Sequence, residues 1–485
     1  RQLAARRRPR RMATAVAAAS RASRRCLIPP PPESLLNQSS ISITPARPAT
    51  VETAATAQPH MLRAVGRWQL VGLSVNDVIG SGIYLLPAAA AALLGPASLW
   101  AVLLAGIAVS LLVLCYAQAA SYFDQAGGSY LYAREAFGRF AGFEVGWMLL
   151  LTRIASAAAL SNGLADAVTH FWPAAGDGKM RVLIVVGSLA ALTGINVIGV
   201  RAAARTGVTL AIAKFLPLAM FVLIGAFFVD LGQASPLAVD SIPMDDLAKG
   251  ALLLLFAYAG FENMPAAAAE YRNPQRDVPF AMLTMIAIVT ATYVAVQWVA
   301  LGTLPGLAAS STPLADASAR FGGMWLALVL TVGAAVSILG TNSNTIMFGP
   351  RYLLALADDG VGPAALTRIH PRFRTPAVAI VTVGVLSVIL ALSGSFVQLA
   401  LLSVVARLFG YLATAVAVLV LRRRHGQREG AMRLPGGPLI PLAATALSLG
   451  LLASAGVANL VAAAIALLIG ALIYRFWRRP RREAG

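Results

Sequence analysis

From residue 69 onward the chain alternates long apolar runs with short polar stretches rich in arginine. The runs reach about 20 residues or more, the length that a bilayer's hydrocarbon core demands of a helix. Twelve of them can be drawn, over roughly 69–93, 97–122, 140–171, 181–199, 206–230, 247–271, 277–303, 324–356, 377–394, 396–421, 437–454 and 457–477. The pattern predicts an all-α polytopic membrane protein with 12 transmembrane helices.

Two of these runs, the first and the sixth, are broken by glycine. The first reads Val71-Gly-Leu-Ser-Val-Asn-Asp-Val-Ile-Gly-Ser-Gly-Ile-Tyr-Leu-Leu-Pro87, and the second Leu252-Leu-Leu-Leu-Phe-Ala-Tyr-Ala-Gly-Phe-Glu-Asn-Met-Pro265. Backbone at membrane depth must satisfy its own hydrogen bonds, so a break survives only where it is buried or lines a cavity. Broken helices in corresponding positions of two halves point to a transporter's binding site. Five spans is an odd number, so spans 1–5 and 6–10 make a 5+5 inverted repeat with discontinuous helices 1 and 6. The expected transporter domain covers 66–480, with repeat one at 66–232, repeat two at 245–422 and two extra helices at 435–478.

Charge sets the orientation. Arg134 and Arg139 follow the second span, Arg201 and Arg205 the fourth, and Arg272 and Arg276 the sixth. Further inside loops hold Arg351, Arg368, Arg372 and Arg374, then Arg422, Arg423 and Arg424. The opposite loops hold mainly Asp177, Asp230, Asp240, Asp245, Asp246 and Asp316. By the positive-inside rule both termini are cytoplasmic, in a multi-pass protein of the cell (inner) membrane. The bilayer itself is therefore the expected surrounding.

Composition agrees: 58% hydrophobic and 12% charged residues, against roughly 25% charged in soluble domains. The net charge of +19 is spread over loops and tails, and only Lys179, Lys214 and Lys249 of the 39 basic residues are lysine. A nucleic-acid surface needs basic residues gathered on one folded face, so no nucleic-acid partner is expected. Two cysteines, Cys26 and Cys115, make neither a disulfide framework nor a thiolate metal site. Residues 1–60 hold ten Arg and two Glu, the run Pro29-Pro-Pro-Pro32 and no periodic apolar pattern. They read as a disordered, dispensable basic extension, with a transit peptide or a mis-assigned start before Met61 as alternatives.

Several residues carry candidate chemistry. Ile79, Gly80, Ser81 and Gly82 at the first break would present free N–H groups and a positive helix end to a carboxylate. The alternative is a small-residue helix contact. At the second break, Phe256, Ala257, Ala259 and Gly260 would offer freed carbonyls to an ammonium group. Phe256 would close over a bound ligand as an aromatic lid, whereas taken alone it reads as a core or lipid-facing ring. Glu262, an ionisable group near mid-membrane, is read as a proton sensor or as a hydrogen-bonding support for the unwound backbone. Lys214 lies in an apolar run with no carboxylate within a helical turn, a tethered cation able to exchange a proton.

Arg153 and Arg407 are expected to pair with Glu144 or with backbone carbonyls. Asp77 faces either the site or a vestibule, and the run Gly340-Thr-Asn-Ser-Asn-Thr345 lines a pathway or bonds back onto its own helix. His60, His170, His370 and His425 fall in tails or loop ends, without metal-ligand spacing. No nucleophile-and-base constellation is present, so neither a cofactor nor an enzymatic activity is expected.

Ile79-Gly-Ser-Gly-Ile83, Phe256-Ala-Tyr-Ala-Gly-Phe-Glu262, Asn273-Pro-Gln-Arg-Asp-Val-Pro279 and Gly349-Pro-Arg-Tyr-Leu-Leu-Ala-Leu-Ala-Asp-Asp-Gly360 resemble the amino acid–polyamine–organocation (APC) superfamily of permeases. The resemblance covers about 66–480. It implies alternating access, with Ile79, Ser81 and Gly82 meeting a substrate carboxylate and Phe256, Ala257 and Ala259 its α-amino group. Lys214 matches the position where sodium-independent members place a lysine in lieu of sodium, which favours proton coupling or exchange. Glu262 matches an acidic residue that follows the break in many members. The expected function is secondary active, sodium-independent and proton-coupled transport of amino acids. A cationic amino acid or polyamine exchanger is the alternative, and a non-transporting sensor a weaker one.

Overall fold

The computed structural model describes residues 62–477 apart from 81, 170, 171, 173–175, 177, 235–249, 251–253, 255, 256, 311, 395, 426–430 and 454–456. The basic extension of residues 1–60 lies outside the described residues. Thirteen α-helices are described: α1 (Arg67–Val78), α2 (Gly82–Leu94), α3 (Ser98–Ala120), α4 (Ser129–Phe137), α5 (Arg139–Thr169), α6 (Gly178–Ile198), α7 (Val200–Gly225), α8 (Pro274–Thr303), α9 (Pro313–Asp358), α10 (Ala377–Ser393), α11 (Phe396–His425), α12 (Leu439–Ala453) and α13 (Val457–Trp477). A 3₁₀ segment, Phe261–Glu270, precedes α8. No strand ladder occurs among the described residues.

Eight helical stretches among the described residues are long and apolar enough to cross a bilayer, and Ala377–Ser393 and Leu439–Ala453 are shorter apolar helices. Their outer faces are bare: Leu183, Ile212, Leu223, Ile389 and Leu468 are exposed. In water such a surface would be unstable; against lipid it is the expected boundary of a multi-pass membrane protein.

Elementary signals mark the observed helix starts, which fall at Pro274 and Pro313 and so earlier than the expected 277 and 324. Pro274 and Pro313 stand at first helical positions, where a missing N–H costs nothing. The N–H of Gly66 donates to Gln69 Oε1 across the start of α1. The chain bends inside the 46-residue α9 at Gly323. Burial then sorts the helices: α5 packs most extensively against α9 and α11, α3 against α8, and α1 against α7 and α8. Arg153, Lys214, Glu262 and Asp77 are all buried at the heart of this bundle.

The segment before α1 forms a strap against the end of the 3₁₀ segment and the start of α8. Ala64 N and Val65 N donate to Glu270 O at 3.0 and 3.2 Å, and Arg272 N donates back to Val65 O at 3.1 Å. Arg67 pairs with Asp277 at 3.0 Å and Arg63 with Asp124 at 3.3 Å. Below the strap, Arg351, expected with the inside loops, lies instead within α9, fully buried, and donates to Glu270 Oε1 from Nε at 2.9 Å and Nη2 at 2.7 Å. Removing one partner of such a pair leaves an uncompensated buried charge. Arg351→Met is therefore expected to cost about 3–5 kcal/mol. The check is a thermal denaturation curve in detergent; an unchanged midpoint would show that Glu270 finds another partner.

Candidate functional site

The first break begins where α1 runs out of partners. Its last carbonyls lack intrahelical donors, and Ile79, with φ −70° and ψ 94°, turns the chain away before α2 starts at Gly82. The ammonium of Lys214, on α7, fills the gap. Nζ donates to Asn76 O at 2.5 Å, to Ile79 O, and to Thr341 Oγ1 of α9 at 3.3 Å. Ser337 Oγ also donates to Ile79 O, at 3.2 Å. Lys214 is fully buried, and its ammonium bonds two carbonyls and a hydroxyl, with no carboxylate bonded to it among the described residues.

The polar run of α9 serves the same break. Asn344 Nδ2 donates to Leu73 O at 2.6 Å, and Asn76 Nδ2 donates to Gly340 O and to Asn344 Oδ1. Within that run, Thr345 bonds back onto its own helix, to Thr341 O.

The second break touches the first through backbone. Gly260 has φ +127°, in the region that favours glycine, and a Cβ placed there would stand 2.7 Å from Asp77 O. Gly82 likewise approaches Ala257, whose Cα would lie 3.5 Å from an added Cβ. Tyr293 of α8 stitches the two together: its hydroxyl lies 3.0 Å from Ala257 O and 3.2 Å from Val78 O, within donating reach of both.

Glu262 is the hub beneath. Oε2 accepts the N–H of Gly260 at 2.9 Å and the hydroxyl of Tyr411 at 3.0 Å. Oε1 lies 3.4 Å from Arg153 Nη2 and 3.1 Å from Arg407 Nε. One carboxylate thus joins the 3₁₀ segment to α5 and α11. Asn263, the next residue, donates from Nδ2 to Asp77 Oδ2 at 2.5 Å and to Gly260 O at 2.8 Å.

These groups surround a cavity of about 90 Å³. Gly80, Gly82, Ala257, Ala259 and Gly260 line it, with Asp77, Arg153, Ser156, Thr341, Thr345, Ser403 and Arg407. The five predicted residues from the two breaks therefore share one cavity. Ile79, Lys214 and Glu262 stand behind its wall, and their polar atoms are spent on holding the breaks. Ser81 and Phe256 lie outside the described residues. The carbonyl of Ala257 already accepts from Tyr293, so it is not a wholly free acceptor.

The expected pairing of Arg153 with Glu144 does not occur. Nine residues at 100° each place the two on opposite faces of α5. Arg153 turns inward to Glu262, while neither oxygen of Glu144 has a hydrogen-bond partner among the described residues. Tyr293, Asn263, Ser337 and Tyr411 join the site without standing out in the sequence. Of these, Asn263 alone carries a signal there, since it is polar and adjoins Glu262 at membrane depth.

The amino acid permease family model matches residues 65–474 of this chain. The serine/threonine exchanger SteT of Bacillus subtilis (strain 168) is 30% identical over 431 residues, covering 86% of this chain and 96% of that protein. The branched-chain amino acid permease BcaP of the same organism is 27% identical over 454 residues, covering 89% and 96% respectively. The vacuolar cationic amino acid transporter 4 of Arabidopsis thaliana is 28% identical over 386 residues, 75% of this chain, and the chain spans 64% of that protein's length. With this match across nearly all of its apolar length, the chain belongs to the amino acid permease family of the APC superfamily.

Proposed function

We propose that this protein is a sodium-independent secondary active transporter that moves amino acids by alternating access, coupled to protons through Lys214. The observation that carries the reading is the lysine ammonium seated among Asn76 O, Ile79 O and Thr341 Oγ1, where two helices meet at a break. Three oxygens in this arrangement suit a bare cation. A tethered ammonium takes that place permanently and, unlike sodium, can give up a proton.

The architecture that goes with this reading is 12 spans in a 5+5 inverted repeat, over 66–232 and 245–422, with both termini cytoplasmic. The substrate carboxylate sits against the N–H groups of Gly80–Gly82, at the positive start of α2. Its ammonium meets the carbonyl face of Ala257–Gly260, with Phe256 as a lid. Glu262, held by three hydrogen-bond donors and the nearby Arg407 guanidinium, supports the second break and has both oxygens engaged. Family members are permeases rather than enzymes.

Initial uptake of labelled amino acids into proteoliposomes should be equal in sodium and in choline buffer. A tenfold stimulation by sodium would overturn the lysine reading. Gly82→Val is expected to lower affinity at least tenfold without unfolding the protein, since its methyls would enter the gap to Ala257 and Leu86. Ligand-induced thermal stabilisation measures this, and unchanged affinity would move the carboxylate elsewhere. An exchanger of cationic amino acids or polyamines is the second reading, favoured by Asp77 in the cavity wall and opposed by two guanidinium groups there.

A further inference from the structure

The cavity wall holds polar groups that the bundle leaves unfinished. Asp77 is 2% exposed; Asn263 pins its Oδ2, while Oδ1 has no hydrogen-bond partner among the described residues. Arg153, also 2% exposed, spends Nη2 on Glu262, and its Nε has no acceptor there. Arg407 Nε lies 3.1 Å from Glu262 Oε1 but off the hydrogen-bonding direction. One buried acceptor and two buried donors are thus incompletely satisfied around the same 90 Å³ space. Such groups are costly to leave unpaired, and each awaits a ligand atom or an ordered water.

The wall already holds fixed charges of both signs: Arg153, Arg407 and Asp77 line it, with Glu262 and the Lys214 ammonium behind them. A substrate side chain bearing a net charge of either sign would meet a like charge in a buried site. An aliphatic side chain would displace water from the unfinished groups and give them nothing in return.

Resting on the amino acid reading above, we propose that Asp77 and Arg153 make this cavity selective for an amino acid with a neutral side chain that both donates and accepts a hydrogen bond. A carboxamide fits this description best and a hydroxyl next. The amide N–H₂ completes Asp77 Oδ1, and the amide oxygen takes a guanidinium N–H, directly or through one water. Asp77 is then a specificity-determining residue in addition to a packing partner of Asn263.

The test uses the full chain in proteoliposomes and four labelled compounds of closely similar size: L-asparagine, L-aspartate, L-leucine and L-2,4-diaminobutyrate. Asparagine supplies both donor and acceptor, aspartate only acceptors, diaminobutyrate only donors, and leucine neither. Initial uptake of asparagine at subsaturating concentration should exceed that of each of the others at least tenfold, as expected where a site's polar groups are left unpaired by the wrong ligand. Asp77→Asn should collapse the asparagine-to-leucine ratio towards one. Leucine equal to asparagine, or a first place for aspartate or diaminobutyrate, would overturn the inference while leaving amino acid transport standing. If none of the twenty common amino acids is moved or bound, the transporter reading itself fails, and the inference with it.

Discussion

Lys214→Ala is expected to reduce uptake to the background of protein-free liposomes while the protein still folds. The variant removes the ammonium from Asn76 O and Ile79 O, leaving Ile79 O with the Ser337 hydroxyl and the Thr341 hydroxyl within reach of both carbonyls. The space vacated by three methylenes and an ammonium is large enough for water to enter and take over those bonds. Folding stability should change by only about 1–3 kcal/mol, because the lost hydrogen bonds are offset by release of a buried charge. Transport has no such substitute: water can solvate the carbonyls, but it cannot alternate between a tethered cation and a neutral amine. Lys214→Arg sharpens the point. Arginine keeps the charge and never gives up its proton, so uptake by that variant should no longer respond to a proton gradient. Gradient-driven uptake in either variant would remove Lys214 from coupling.

Glu262→Gln should be the most destabilising change in the site. Glu262 is fully buried and collects Arg153, Arg407, Tyr411 and the N–H of Gly260. Glutamine preserves the size and one acceptor oxygen, so the backbone contact at Gly260 survives in part. The two guanidinium groups do not fare as well. They would face each other across a neutral amide in a low-dielectric interior, and losing the carboxylate of a buried pair costs about 3–5 kcal/mol. Removing one positive charge as well should restore part of the loss. The double variant Glu262→Gln, Arg407→Gln is expected to melt above the single Glu262→Gln variant, with a coupling of at least about 1 kcal/mol between the sites. Additive losses would mean that Arg407 and Glu262 are not energetically linked.

The helical layout is legible in the sequence because a bilayer imposes one length and one polarity on every span. The expected start at 277 lies in α8, and the expected 377–394 run coincides with Ala377–Ser393. Both breaks are legible too, since glycine clusters interrupt runs that a bilayer otherwise requires to be continuous helix. Lys214 stands out for a related reason, a lone charge with no carboxylate beside it in sequence. What sequence spacing does not encode is which helices are neighbours. Arg153 and Glu262 are separated by 109 positions, and Asp77 and Asn263 by 186. Tyr293 reads along the chain as an ordinary core aromatic; only the fold shows its hydroxyl spanning two breaks. The expected pairing of Arg153 with Glu144 fails for a different reason. The two residues are close along the chain, but helical periodicity sets them on opposite faces, and on a helix the face decides the partner.

If a buried lysine takes the place of a metal ion and couples transport to protons, substrate accumulation must follow the proton gradient. Uptake of labelled L-asparagine into proteoliposomes, in sodium-free buffer with and without an inward proton gradient, tests this most directly. Accumulation above the outside concentration should occur only when the gradient is present and should be abolished by a protonophore. Movement that ignores the gradient and requires amino acid preloaded inside would contradict proton coupling through Lys214, and would make the protein an obligate exchanger.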